Sequence, residues 1–281
     1  MSPLVVVLAL TAAVMHALWN VRLKTSGDPL AVASRASVAS AVATAPIVGI
    51  AWVLVGRPEF HSWFLCSASA IAELAYFVLL SAAYRRGDIS VVYPVARGTA
   101  PLLAVGSGVF VLGEKVGGLQ MLGVVCLLGG IWCVRRPIAG RNAFILAVLT
   151  GFAIATYSTV DAVAVYRDAP WLYGWILSAE TAVLLAAWVH ERDRRSPDSV
   201  EPRVSWGEAT AVGAVMTAAY LLILIAFRLA PLALVAPLRE SAVVFVAVWG
   251  IWRLEESRGR ILRLTGAAAI LVGSALLTLA S

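Results

Sequence analysis

The sequence predicts an all-α polytopic membrane protein, with ten transmembrane helices forming two inverted five-helix repeats around a central cavity. Three observations predict it. Of 281 residues, 61% are hydrophobic and 14% charged, where a soluble domain is nearer half apolar and a quarter charged. The apolar residues fall into runs of about 20, the length that crosses a bilayer. A pattern in the first half recurs in the second at a shift of 143 residues. This composition excludes a soluble enzyme, a nucleic-acid-binding module and a disordered chain.

In chain order the runs are 3–21, 31–55, 62–84, 89–112, 117–134, 142–165, 170–189, 206–227, 231–252 and 261–280. The first lacks a basic start and continues through His16-Ala17-Leu18-Trp19-Asn20 without a cleavage site, so it reads as a retained helix and not a signal peptide. Most connections are a handful of residues. The longest, 190–205, is charged and contains proline, and reads as a solvated loop. With no soluble domain attached, the chain is expected to act within or across the bilayer.

The basic residues are two lysines, Lys24 and Lys115, and twenty arginines, spread one to four at a time between the apolar runs. That distribution marks helix flanks and not a nucleic-acid patch. Odd-numbered connections carry 15 of them and even-numbered connections 4. The positive-inside rule then puts the odd connections in the cytoplasm and both termini outside, for a chain in the inner (plasma) membrane. Cys66, Cys126 and Cys133 have no paired spacing with histidines nearby, and read as packing thiols.

The repeat is legible in residues 83–94, AYRRGDISVVYP, against 226–237, AFRLAPLALVAP. An arginine follows each proline, Arg97 and Arg239, and an acid closes each following helix, Glu114 and Glu256. Gly123 and Gly130 then match Gly266 and Gly273 at the same shift, and Ala75-Tyr76 matches Ala219-Tyr220. The units are 1–138 and 139–281. Five helices per unit is odd, so the second copy enters the membrane inverted, an arrangement that recurs in secondary transporters with a site near the midplane.

On these residues the chain resembles the EamA branch of the drug/metabolite transporter superfamily over nearly its whole length. The resemblance rests on the five-plus-five layout, the Pro-containing fourth and ninth helices ending in Gly113-Glu114 and Glu255-Glu256, and the glycine-rich fifth and tenth helices. It implies a basket around a central cavity, working by alternating access. Helices one, three, four, six, eight and nine would supply most of the lining, with five and ten packed at the back. Glu255 departs from the pattern, standing where the first half has Gly113.

Seven charged residues lie inside the predicted spans: Arg35, Glu73, Arg97, Asp161, Glu180, Arg239 and Glu240. A charge at a helix centre costs about 2.5–3.5 kcal/mol on insertion scales, so these must face one another, a cavity or a helix end. Arg97 follows Tyr93 and Pro94 by one turn. It is either an anchor for a carboxylate or phosphate or the partner of a buried acid such as Glu73. Arg239-Glu240 occupies the corresponding place beside Pro237; adjacent helical positions diverge by about 100°, so the pair cannot close on itself.

Glu73, with Tyr76 and Phe77 a turn away, is a candidate proton carrier. Its counterpart is Thr217, followed by Tyr220, which makes the cavity chemically asymmetric. Tyr157, Ser158 and Asp161 share a face of the sixth helix, as a substrate-binding strip or as a helix-end group at the interface. His16, Trp19 and Asn20 share a face of the first; His titrates near neutral pH, and Trp19 either stacks on a ligand or joins the interfacial belt. Arg35 and Glu180 read as structural, on helices outside the lining. Glu114, Glu255, Glu256, Arg258, Arg260 and Arg263 read as interfacial anchors. The heptad glycines read as packing between helices five and ten, within a chain or across a homodimer.

No H-E-x-x-H, G-x-S-x-G or Walker loop is present. The expectation is a secondary transporter of a small polar metabolite, an amino-acid-like zwitterion or small anion, driven by protons or exchange and needing no cofactor or metal. Export is implied by the resemblance alone. The alternatives are a flippase of a lipid-linked headgroup, with membrane lipid as partner, and an intramembrane enzyme.

Overall fold

A computed structural model describes residues 2–111, 113, 117–135, 140–195, 204–239, 252 and 260–279. The described residues form helices and no strand. In order they are α1 (Pro3–Thr25), α2 (Pro29–Leu54), α3 (Trp63–Arg86), α4 (Ile89–Phe110), α5 (Gly118–Arg135), α6 (Arg141–Ala164), α7 (Pro170–Arg195), α8 (Trp206–Leu229), α9 (Leu232–Arg239) and α10 (Arg260–Leu279). Seven of them, α1 to α4 and α6 to α8, are long and apolar enough to cross a membrane. Apart from Trp252, the predicted ninth run beyond Arg239 lies outside the described residues, as do Glu114, Lys115, Glu240, Glu255, Glu256 and Arg258.

Helix ends follow local chemistry. Pro3, Pro29 and Pro170 occupy first helical positions, where the missing N–H has no intrahelical partner to lose. Asp28 caps α2 by accepting from the Leu30 N–H at 3.0 Å, and Ser205 caps α8 by accepting from the Glu208 N–H at 3.2 Å. The short turn between α1 and α2 needs Gly27 at φ 94°. One expectation fails here: residues 190–195 continue α7 and are not loop. A Glu191–Arg195 pair at 2.7 Å along the helix and an Arg192–Asp28 bridge at 2.5 Å stabilise the added turns.

The dominant packing is unchanged when each helix is exchanged with the one five positions on. Thus α3 packs on α6 as α8 does on α1, α2 on α8 as α7 on α3, and α4 on α6 as α9 on α1. The self-paired contacts are α2 with α7, α4 with α9, and α5 with α10. At Gly130 a Cβ would stand 2.7 Å from the Gly266 carbonyl oxygen, so the α5–α10 backbones meet directly and within one chain. The outside is apolar: Leu18, Ile47, Phe64, Phe110 and Val183 are all exposed, as suits a lipid-facing surface.

The end carrying most arginines is tied by polar contacts between helices. Lys24 Nζ donates to the Tyr84 carbonyl at 2.5 Å and the Gly87 carbonyl at 3.1 Å. Asp28 bridges Arg85 and Arg192, and Arg22 pairs with Glu208. Arg263 is buried and not an interfacial anchor: it bonds Ser90 and, at 2.8 Å, Asp88, pinning α10 to the start of α4. At the opposite end Arg228 donates to the Asp168 carbonyl at 3.0 Å, and Asp168 accepts from the His61 N–H at 2.8 Å.

Candidate functional site

Near mid-length of the helices a cavity opens between α1, α2, α3, α6, α7 and α8. Its wall includes His16 and Trp19 from α1, Glu73, Tyr76 and Phe77 from α3, Tyr157 from α6 and Tyr220 from α8. Ser37, Ser178, Thr181 and Thr217 supply hydroxyls between them. The rings form a chain of edge-on contacts, with centroids 4.8 Å apart for Tyr76–Phe77, 5.8 Å for Tyr76–Tyr157 and 5.7 Å for Tyr157–Tyr220. Tyr76 and Tyr220 are the repeat-related pair, and Tyr157 stands between them.

His16 is buried, and its Nδ1 accepts from the Trp19 Nε1–H at 2.9 Å. Indole is a donor only, so this bond assigns the ring proton to Nε2. Nε2 is buried and has no protein partner among the described residues. An unsatisfied buried donor costs about 1–3 kcal/mol, which an acceptor on a ligand would recover. Trp19 is accordingly a buried wall residue and not a belt residue. Asn20 turns away from the cavity: its Nδ2 donates to the His16 carbonyl at 2.8 Å, and its Oδ1 accepts from the Tyr84 hydroxyl at 2.9 Å.

Glu73 Oε2 accepts from the Thr181 hydroxyl at 2.8 Å, which bonds α3 to α7. The ion pair with Arg97, one of the two alternatives the sequence offered, does not form. Under the exchange of halves the counterpart is Thr217, whose hydroxyl shares a hydrogen bond of 2.7 Å with Ser40, joining α8 to α2. Glu73 is the one carboxyl among the described residues of the cavity wall.

Three further charges stand behind that wall. Arg97 is buried, with its guanidinium 5.3 Å from the centroid of the Tyr93 ring. Arg239 is buried, with Nη2 3.4 Å from Ser158 Oγ. Both lie within electrostatic reach of His16 and Tyr76. Asp161 is fully buried and not an interfacial group. It accepts from the Tyr173 hydroxyl at 2.5 Å and from the Tyr220 hydroxyl, and lies within electrostatic reach of Glu73 and Arg239. Two acids and two arginines therefore sit together at the centre, with Glu73 facing the cavity. Glu240 lies outside the described residues.

The lining differs from the expected one. α2 and α7 contribute Ser37, Ser178 and Thr181, and no residue of α4 reaches the wall. Tyr93 and Arg97 of α4 form a buried layer behind it. Arg35 and Glu180, read as structural, stay out of the wall; Arg35 donates to the Val204 carbonyl at 3.2 Å and lies over the Trp206 ring. Tyr173, which holds Asp161, gave no signal in an apolar run beyond being a tyrosine.

Comparison with known proteins places this geometry. The sequence model of the EamA-like transporter family matches residues 3–136 and again 141–279. A solved crystal structure, described only as that of a protein, superposes with a TM-score of 0.70 at 17% identity, covering 98% of this chain and 97% of the other. At that identity the likeness concerns the fold alone. No curated protein matches the chain.

Proposed function

The chain belongs to the EamA-like transporter family, and on that premise we propose that it is a secondary active exporter of a small polar metabolite with amino-acid-like, zwitterionic chemistry. Ten crossings, as two inverted five-helix units, carry it through the inner membrane with the arginine-rich end in the cytoplasm and the termini outside. The cavity is the substrate site, and alternating access follows from rocking one unit against the other.

One observation carries the reading: among the described residues, a mid-depth cavity walled by both halves presents one carboxyl, Glu73, and one donor without a protein partner, His16 Nε2–H. The carboxyl suits an ammonium. The donor, with Arg97 and Arg239 behind it, suits a carboxylate. A zwitterion satisfies both, whereas a simple anion would face Glu73 unpaired. Glu73 is also the group placed to exchange a proton for the substrate ammonium.

The test compares polar metabolites in spent medium and cytoplasm of cells making the wild type or Glu73→Gln at equal membrane abundance. The expected result is one amine-bearing compound moved outward by the wild type only. Equal movement by both proteins would remove Glu73 from the mechanism, and movement by neither would remove small-metabolite export.

A further inference from the structure

A second pocket adjoins the cavity, between α2, α7 and α8. The two share Ser178, Thr217 and Tyr220 as walls. Apart from Thr44 the rest of its wall is apolar, with Val48, Ala51 and the lipid-exposed Ile47 of α2 and Trp171 and Trp175 of α7. Its origin is geometric. α2 and α8 touch closely where Gly213 lies against the Ala36 carbonyl, and the Ser40–Thr217 bond and a 3.2 Å bond from Trp175 Nε1–H to the Ala41 carbonyl hold the same level. Beyond Thr44 no such bond joins α2 to its neighbours among the described residues. Pro46 falls at the start of this stretch, and a proline inside a helix removes a backbone bond and bends the axis.

We infer that this pocket is a tail subsite: it takes a short alkyl or aryl group of the same molecule whose charged head occupies the central cavity. The inference rests on the proposed transport function and sharpens its substrate class to an amphipathic zwitterion. The occupant follows from the wall the two spaces share, made of Ser178, Thr217 and Tyr220. A head held at Glu73 and His16 lies on one side of that wall, and the apolar pocket lies on the other. The polar residues of this pocket line the shared wall or, as Thr44, its edge on α2, leaving the two indoles and the aliphatic chains to meet carbon.

The test uses the full-length protein in nanodiscs and the homologous probes glycine, 2-aminobutyrate and norleucine, with apparent Kd read by ligand-dependent thermal stabilisation. These share one head and partition poorly into lipid. Wild type should gain about three- to fourfold in affinity per buried methylene. Val48→Trp and Ala51→Trp, each filling the pocket from α2, should flatten that gain and leave glycine binding in place. Independently, 6-bromonorleucine should quench tryptophan fluorescence in wild type, and most of the quenching should vanish in the Trp171→Phe/Trp175→Phe double variant.

An unchanged gain in the filled variants together with unchanged quenching in the double variant would overturn the tail subsite while leaving the head site standing. Failure of wild type to bind any of the three probes would overturn the zwitterion reading itself, and the subsite with it.

Discussion

The contact of α3 with α7 and the contact of α8 with α2 are the same joint built twice. Each closes one side of the cavity, and each is fastened by one side-chain hydrogen bond near mid-length. In the first the bond joins Glu73 to Thr181; in the second it joins Thr217 to Ser40. The geometry of the joint survived duplication while its chemistry did not. The difference shows that helix packing here needs only a hydroxyl, so the carboxyl at Glu73 is surplus to architecture. A symmetric pair of carboxyls facing one small cavity would repel each other. One carboxyl gives the cavity a charged side and a neutral side, and hence a direction in which a dipolar ligand lies.

That comparison can be broken in steps of decreasing size. Replacing the carboxyl without changing its shape, Glu73→Gln, should cut proteoliposome transport roughly tenfold or more, since bonds to a charged group are worth about 1.5–3 kcal/mol. Normal yield and thermal stability should accompany the loss; a collapse in stability would mean the acid is structural. Moving the carboxyl across the pseudo-axis, Glu73→Thr with Thr217→Glu, should leave transport within about twofold of Glu73→Thr alone, because His16 and the two arginines do not move with it. Recovery to wild-type rates would show the two joints to be interchangeable.

Smaller effects separate the joints further. Thr181→Val takes a donor from Glu73 and should raise the apparent KM about fivefold with little change in maximal rate. Ser40→Ala removes, from outside the cavity wall, the partner of the uncharged Thr217 hydroxyl. Interhelical bonds of that kind average about 0.6 kcal/mol, so Tm should fall by about 1–3 °C and transport should stay within twofold. Equal effects from Thr181→Val and Ser40→Ala would erase the distinction drawn between the joints.

The helices were legible because hydropathy sets them directly: most described ends fall within a few residues of the predicted runs. The repeat was legible because prolines, arginines and glycines stand out in apolar sequence. Tyr76, Tyr157 and Tyr220 were marked by position, and their rings meet. Pairing was not legible. Glu73 bonds Thr181, and not Arg97, because neighbours around a basket are chosen by helix packing and one sequence does not record which faces meet. Ser37, Ser178 and Thr181 went unnoticed for a related reason: a hydroxyl satisfied by its own helix is ordinary in any membrane span. The extension of α7 was hidden by its charges, which read as solvent loop until Asp28 supplied a partner for Arg192.

The glycine at position 213 has a mechanical consequence. With no side chain between it and the Ala36 carbonyl, α2 and α8 meet backbone to backbone at one level, and a pocket opens between them on the Thr44 side. Ser69 holds the corresponding place in α3, so the glycine pivot belongs to one of the two joints. A rigid rod resting on such a fulcrum sees its two arms swing in opposite senses. Spin-label distances between α2 and α8, taken near Leu54 and Leu229 and again near Pro29 and Trp206, should therefore change with opposite sign when a ligand binds. If both distances lengthen or shorten together, the crossing slides and is not a pivot.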